Sequence, residues 1–120
     1  MSTATLRSAT ADTAADVVVV GSGAGGLSAA VAAAYHGLKV VVVEKAAVCG
    51  GATSYSGGWA WAPGNPLAKA DGVNEDPEEF RTYLQHRLGE YYDAERVDAF
   101  LEGAPQMVDF FHNHTSLQFT

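Results

Sequence analysis

Two runs of four valines, Val17 to Val20 and Val40 to Val43, dominate the hydrophobic pattern of the chain. Each is too short for a helix and fully β-branched, which predicts strands buried on both faces; the second is expected to span residues 39–43. Residues 25–36 between them contain no proline and are mostly alanine, the best helix former. Gly37 is placed to end that helix. A connection of this length suits a right-handed crossover helix, so the two strands should be parallel.

The pattern changes downstream. Gly50, Gly51, Gly57, Gly58 and Gly64 lie among Thr, Ser and Tyr, and Pro63 and Pro66 close the stretch. This reads as a long loop with a functional purpose, followed by an irregular connection over residues 66–74. Three helices are then expected. Asp76 caps the first, Pro77 takes its opening position and Glu79 completes a capping-box pattern. Phe80, Leu84 and Leu88 form its apolar stripe, and Gly89 stops it. Asp93 caps the second, with Val97, Phe100 and Leu101 inward and Gly103 at its end. Pro105 opens the third, which buries Val108 and Phe111. Leu117-Gln118-Phe119 looks like the start of another strand. Trp59 and Trp61 read as anchors of the loop on the core, and Tyr55, Tyr91 and Tyr92 as packing residues.

At 120 residues the chain is expected to be one domain or part of one. The formal net charge is -7 and no basic cluster exists, which argues against nucleic acid or an anionic membrane as partner. Cys49 is the single cysteine, so no intramolecular disulfide can form, and a small packed side chain is expected. Residues 1–15 are rich in Ser, Thr and Ala and read as a mobile tail, leaving residues 16–120 as the folded part. The uncharged stretch from Val17 to Tyr35 is interrupted by glycines and serines. It does not supply the roughly 20 predominantly apolar residues of a spanning helix. A cytoplasmic protein is expected. His112 and His114 have poor metal spacing, and no metal site is expected.

The first valine run leads into Gly21-Ser22-Gly23-Ala24-Gly25-Gly26, a G-x-G-x-x-G turn with a strand before it and a helix after it. Gly21 permits the tight turn, Gly23 lets backbone approach a phosphate, and Gly26 allows close helix–strand packing. Ala30, four residues on, keeps the same helix face small. The helix N-terminus adds partial positive charge for an anion. Glu44 ends the second strand, placed for the hydroxyls of an adenosine ribose and unfavourable to a 2′-phosphate. These features leave FAD and NAD both open, since both use this fingerprint.

Glu44-Lys45 followed by Gly50-Gly51-Ala52-Thr53-Ser54-Tyr55-Ser56-Gly57-Gly58-Trp59-Ala60-Trp61-Ala62-Pro63 resembles the FAD-binding domain of the fumarate reductase/succinate dehydrogenase flavoprotein superfamily. The G-G-x-T-x-x-S-G-G-x-x-W-x-P arrangement is most similar to that of the 3-ketosteroid Δ1-dehydrogenases. The resemblance implies an α/β fold: a Rossmann-like FAD-binding βαβ unit, a glycine-rich loop and a helical segment, together an incomplete domain. It implies FAD as cofactor, with Gly21, Ser22, Gly23, Ala24, Gly25 and Gly26 around the pyrophosphate, Glu44 at the ribose and Lys45 beside the adenosine. Gly50, Gly51, Ala52, Thr53 and Ser54 would face the pyrophosphate and ribityl portion, and Gly57 and Gly58 the flavin ring. Some relatives attach FAD through a histidine in this loop; residues 50–66 hold none, so noncovalent FAD is expected. The implied parent is a longer oxidoreductase acting on a 3-ketosteroid or, alternatively, an unsaturated carboxylate. The matching catalytic tyrosines would lie beyond Thr120, so no catalytic residue is expected here. The 120 residues alone would be a nucleotide-binding fragment without activity.

Overall fold

The computed structural model describes residues 14–120; the tail expected over residues 1–15 lies almost wholly outside them. The described chain divides into two compact units, one reaching to Trp59 and one formed by Ala60–Thr120.

The first unit is a βαβ motif. Strand β1 (Val17–Val20) pairs in parallel with β2 (Val40–Val43), in the register Val17 to Val40 through Val20 to Val43. Helix α1 (Ala24–Tyr35) connects them and packs on both strands. The pair is extended at both ends. Asp16 exchanges backbone and side-chain bonds with Lys39, and the Gly21 amide donates to the Val43 carbonyl at 2.8 Å. At the far end of α1, the Leu38 amide donates to Ala33 and the Gly37 amide to Ala34. Those two bonds form a Schellman closure, which satisfies carbonyls that the last helical turn leaves open. Both strands were expected to be buried on both faces, and neither is: Val18 and Val20 are 61% and 83% exposed, Val43 is exposed and the rest of β2 is half-buried. Helix α1 covers one face of the pair, so side chains alternate between covered and open positions along β1.

The second unit is helical. A short helix α2 (Pro66–Ala70) stands where an irregular connection was expected. Asn65 caps it, its side chain accepting from the Leu67 and Ala68 amides, and Pro66 fills the first helical position, where its missing N–H costs nothing. Helix α3 (Pro77–Leu88) begins and ends where the sequence places it. Asp76 accepts from the Glu78 amide at 2.9 Å, and Gly89 closes the helix. Helix α4 (Ala94–His114) corrects the expectation of two helices, because it runs unbroken through Gly103 and Pro105. An internal proline removes one ladder bond and crowds the preceding turn. Burial on the same stretch offsets that cost: Ala104 and Val108 join Ala62 in the core, with Leu67, Met107 and Phe119 packed against it.

No strand forms at Leu117-Gln118-Phe119; this segment is irregular, and Phe119 lies on the helical core instead. Trp61 anchors as expected, stacked on Phe100 at 5.6 Å and edge-on to Phe80 and Tyr83. Phe100 thereby lies under an indole and remains partly exposed, and Leu88 at the end of α3 is also exposed. Trp59 and Tyr55 do not anchor: they are 96% and 92% exposed, and Tyr91 is exposed as well. Cys49, expected to be packed, is exposed, because the loop after β2 has no covering element.

The continuity of α4 is directly testable. Gly103 lies mid-helix, and a Cβ there would meet nothing within 4 Å. Gly103→Ala is expected to raise stability by about 1 kcal/mol in thermal or urea unfolding. A loss of stability would mark Gly103 as a helix terminus.

Candidate functional site

The predicted residues fall into two glycine loops of the first unit, residues 21–26 after β1 and residues 50–58, with Glu44 and Lys45 directly after β2. Side chains and close backbone approach join them.

Glu44, at the end of β2, is the junction. Its Oε2 accepts from the Ser22 amide at 2.8 Å and from the Ser22 hydroxyl at 2.5 Å. Its Oε1 accepts from the Ala46 amide at 2.8 Å. The Ser22 hydroxyl in turn accepts from the Gly50 amide at 3.0 Å. Ser22 has no solvent exposure, and its amide and its hydroxyl, as donor and as acceptor, are thereby satisfied. The donors hold the Glu44 carboxyl well below the ordinary carboxylate range, at about 2, the Ala46 amide contributing most and the Ser22 hydroxyl and amide next.

The second link is Thr53. Helix α1 opens without a side-chain cap of its own, and the Ala24 amide instead donates to Thr53 Oγ1 at 3.1 Å. Thr53 sits on a 3₁₀ helix, Gly51–Tyr55, inside the segment expected to be plain loop. This tight turn begins at Gly50, whose φ of 122° is available to glycine and whose Cβ would lie 2.7 Å from Ser54 Cβ. The Ser54 hydroxyl bonds its own backbone, at the Gly51 carbonyl. Gly51 completes the join, since a Cβ there would come within 3.5 Å of Gly23 Cα.

Two glycines of the first loop have distinct reasons to be glycine. A Cβ on Gly26 would lie 2.0 Å from the Gly21 carbonyl oxygen and 3.3 Å from Val19 Cγ1, so helix and strand can approach only without a side chain there. Gly23 differs. Its φ is -71°, and a Cβ would meet nothing nearer than Thr53 Oγ1 at 3.9 Å. Neither backbone strain nor packing within the chain requires a glycine at this position; a ligand seated on the backbone would. The Gly25 and Gly26 amides donate to no group among the described residues, and no acidic side chain stands in the first turn. Free amides at a helix N-terminus, beside backbone clear of side chains, form a cradle for an anion such as a pyrophosphate.

The remaining predicted residues are less closely drawn in. Lys45 and Ala52 are exposed at the edges of the two loops. Gly57 and Gly58 follow the 3₁₀ turn, where their contacts are local: Gly58 donates to Ser56 Oγ, and Gly57 packs against Trp59. The Ala46 amide was not foreseen as part of the site, and no sequence signal marks it, because every residue but proline carries that donor. A shallow hollow bounded by Gly64, Pro66, Lys69 and Pro105 shares no residue with the glycine loops. Among the described residues there is no group of His, Cys, Asp or Glu able to hold a metal, and no helix long and apolar enough to cross a membrane.

With this geometry in place, comparison with known proteins is informative. Residues 16–120 match the family model described as an FAD binding domain. Over 103 residues the chain is 52% identical to a 3-oxosteroid 1-dehydrogenase of Mycobacterium tuberculosis, covering 86% of this chain and 18% of that protein. It is 46% identical over 104 residues to a 4-oxocyclohex-2-ene-1-carboxylate 5-dehydrogenase of Sinomonas cyclohexanicum, covering 87% and 17%. Among solved structures it is similar to the 3-ketosteroid Δ1-dehydrogenase of Sterolibacterium denitrificans, solved in complex with 1,4-androstadiene-3,17-dione. The TM-score is 0.75 at 40% identity, over 87% of this chain and 18% of that one. The chain thus spans less than a fifth of the length of these relatives.

The two glycines of the helix start should behave differently. Gly26→Ala is expected to lower the melting temperature by an amount equivalent to about 3 kcal/mol, because backbone must move. Gly25→Ala, whose Cβ would meet nothing within 4 Å, should leave the melting temperature unchanged or raise it. Equal losses would contradict the close approach at Gly26. The Glu44 carboxyl provides a second check. Its folded-state value is depressed, so its contribution is present above the ordinary value near 4.5 and is lost as pH falls through about 2. A carbon-detected NMR titration should give a midpoint near 2, and a midpoint near 4.5 would mean the Ser22 and Ala46 donors are not engaged.

Proposed function

The chain belongs to the FAD binding domain family, and from that premise we propose that the protein is a flavin-dependent oxidoreductase. It removes hydrogen from a carbon–carbon bond next to a ring ketone, with a 3-ketosteroid as the substrate. The cofactor is FAD. The observation that carries the reading is the joined pair of glycine loops at the start of α1, with Glu44 at the end of β2 bonded into both.

The Gly23, Gly25 and Gly26 amides would hold the pyrophosphate, with Ala24, its own amide bonded to Thr53, lining the same turn and Gly51 and Ala52 approaching from the second loop. Thr53 accepts from Ala24 and keeps its own proton free to donate to a phosphate oxygen. Glu44 has three of its roughly four lone-pair sites filled by protein donors, which leaves one on Oε1 for a ribose hydroxyl. When bound, FAD supplies the hydride acceptor for the substrate carbon. Gly57 and Gly58 belong to the run that would pass the flavin ring, and Lys45 to the adenosine end. No histidine lies in residues 50–66, which supports noncovalent attachment. No catalytic residue is assigned in this chain: Tyr55 and Tyr91 are solvent-exposed, and nothing orients either hydroxyl toward a reacting group.

The substrate half of the proposal rests on the relatives, whose names share a ketone on a six-membered ring. Reduction of a small unsaturated carboxylate is the weaker reading. The purified whole protein should be yellow and release its flavin on acid precipitation. Adding a 3-ketosteroid with a saturated ring bond under anaerobic conditions should bleach the flavin within the turnover time. Flavin retained in the acid pellet would overturn noncovalent binding. Reoxidation of reduced flavin by unsaturated carboxylates, with no bleaching by ketosteroids, would overturn the substrate assignment.

A further inference from the structure

We propose that Ser22 is a positioning residue that holds Glu44 and the second glycine loop in place for the adenosine–pyrophosphate half of FAD without touching FAD itself. The inference rests on the FAD-binding reading and deepens it, since the motif alone groups Ser22 with the glycines around the pyrophosphate.

The geometry separates Ser22 from its neighbours. Gly23, Ala24 and Gly25 offer backbone to solvent at the start of α1, whereas Ser22 has no exposed surface. Its amide and its hydroxyl proton both go to Glu44 Oε2, and its hydroxyl oxygen accepts from Gly50. A serine hydroxyl has one proton, and here that proton is engaged; the residue has no donor left for a phosphate. The three bonds tie the turn after β1, the end of β2 and the first residue of the second loop to a single side chain. These segments are distant in sequence, with Ser22 lying 22 residues from Glu44 and 28 from Gly50. Alanine at this position would leave the Gly50 amide without its acceptor and Oε2 with one donor fewer. Glu44 could then rotate, and the second loop would lose its attachment to the first. Ordering both loops before the ligand arrives removes an entropy cost from binding.

Such a role predicts an effect confined to part of the cofactor. In the flavin-stripped whole protein, dissociation constants for FAD, ADP and FMN would be measured by calorimetry. The variants are Ser22→Ala, Ser22→Cys, Glu44→Ala and the double variant Ser22→Ala/Glu44→Ala. Ser22→Ala should weaken FAD and ADP about tenfold, the scale of one lost hydrogen bond to a charged group, and leave FMN unchanged. Ser22→Cys retains a weak donor of similar size and should fall between wild type and Ser22→Ala, which keeps the proposal testable if the alanine variant does not fold. The double variant should lose less than the sum of the two single losses, because the Ser22–Glu44 link is shared, and any excess over Glu44→Ala reports the separate link to Gly50. Equal weakening of all three ligands would reduce Ser22 to a general stability residue and overturn the proposal. Additive losses in the double variant would also overturn it. Wild-type affinity in Ser22→Ala, beside a wild type that binds FAD tightly, would refute the positioning role alone. A wild type that binds no FAD would refute the cofactor reading and this inference with it.

Discussion

One carboxylate connects the parts of the nucleotide-binding unit. Glu44 ends a valine strand and receives three donors, two from Ser22 and one from Ala46. Through Ser22 it reaches Gly50, so a single side chain determines where the turn after β1, the end of β2 and the second glycine loop lie relative to one another. Charge-assisted bonds of this kind are short and about twice as strong as neutral ones. They suit a junction that has no apolar core to hold it: Ser22 is the one fully buried side chain there, and the surrounding loop residues are largely exposed.

Given that junction, two close contacts shape the surface. Gly26 lets α1 approach the Gly21 carbonyl, which sets the helix start directly after the strand. Thr53 caps the first amide of α1 from the opposite loop, leaving the next amides open. The outcome is a concave run of backbone donors at the positive end of a helix, the arrangement that favours a diphosphate over a cation or a neutral ligand. Gly26, Thr53 and Glu44 thus build the surface and also face the ligand site, whereas Ser22, fully buried, only builds it.

The sequence made the βαβ unit legible because its signals are local and agree: β-branched runs, an alanine-rich helix and glycines at both ends of it. The N-caps Asp76 and Asp93 were equally clear. The departures have tertiary causes. Gly103 and Pro105 look like a helix break, yet burial of Ala104 and Val108 carries α4 through them. Asn65-Pro66 is a cap and first helical residue that was hidden at the end of a glycine-rich stretch. Val18 and Val20 have the residue type of a buried strand but lack a second covering element among the described residues. At the site, the motif marks the backbone at the start of α1, but it does not distinguish a serine that faces a phosphate from one that faces a glutamate. That difference depends on a side chain 22 positions away.

The central claim is that the two joined glycine loops form the seat of the FAD pyrophosphate. A crystal structure of the whole protein with FAD bound tests it most directly. The pyrophosphate oxygens should lie within hydrogen-bond distance of amides among residues 23, 25, 26, 51 and 52, with Ser22 still bonded to Glu44 and out of contact with the cofactor. A pyrophosphate seated elsewhere, or one bonded to the Ser22 hydroxyl with the Glu44 link broken, would contradict the account.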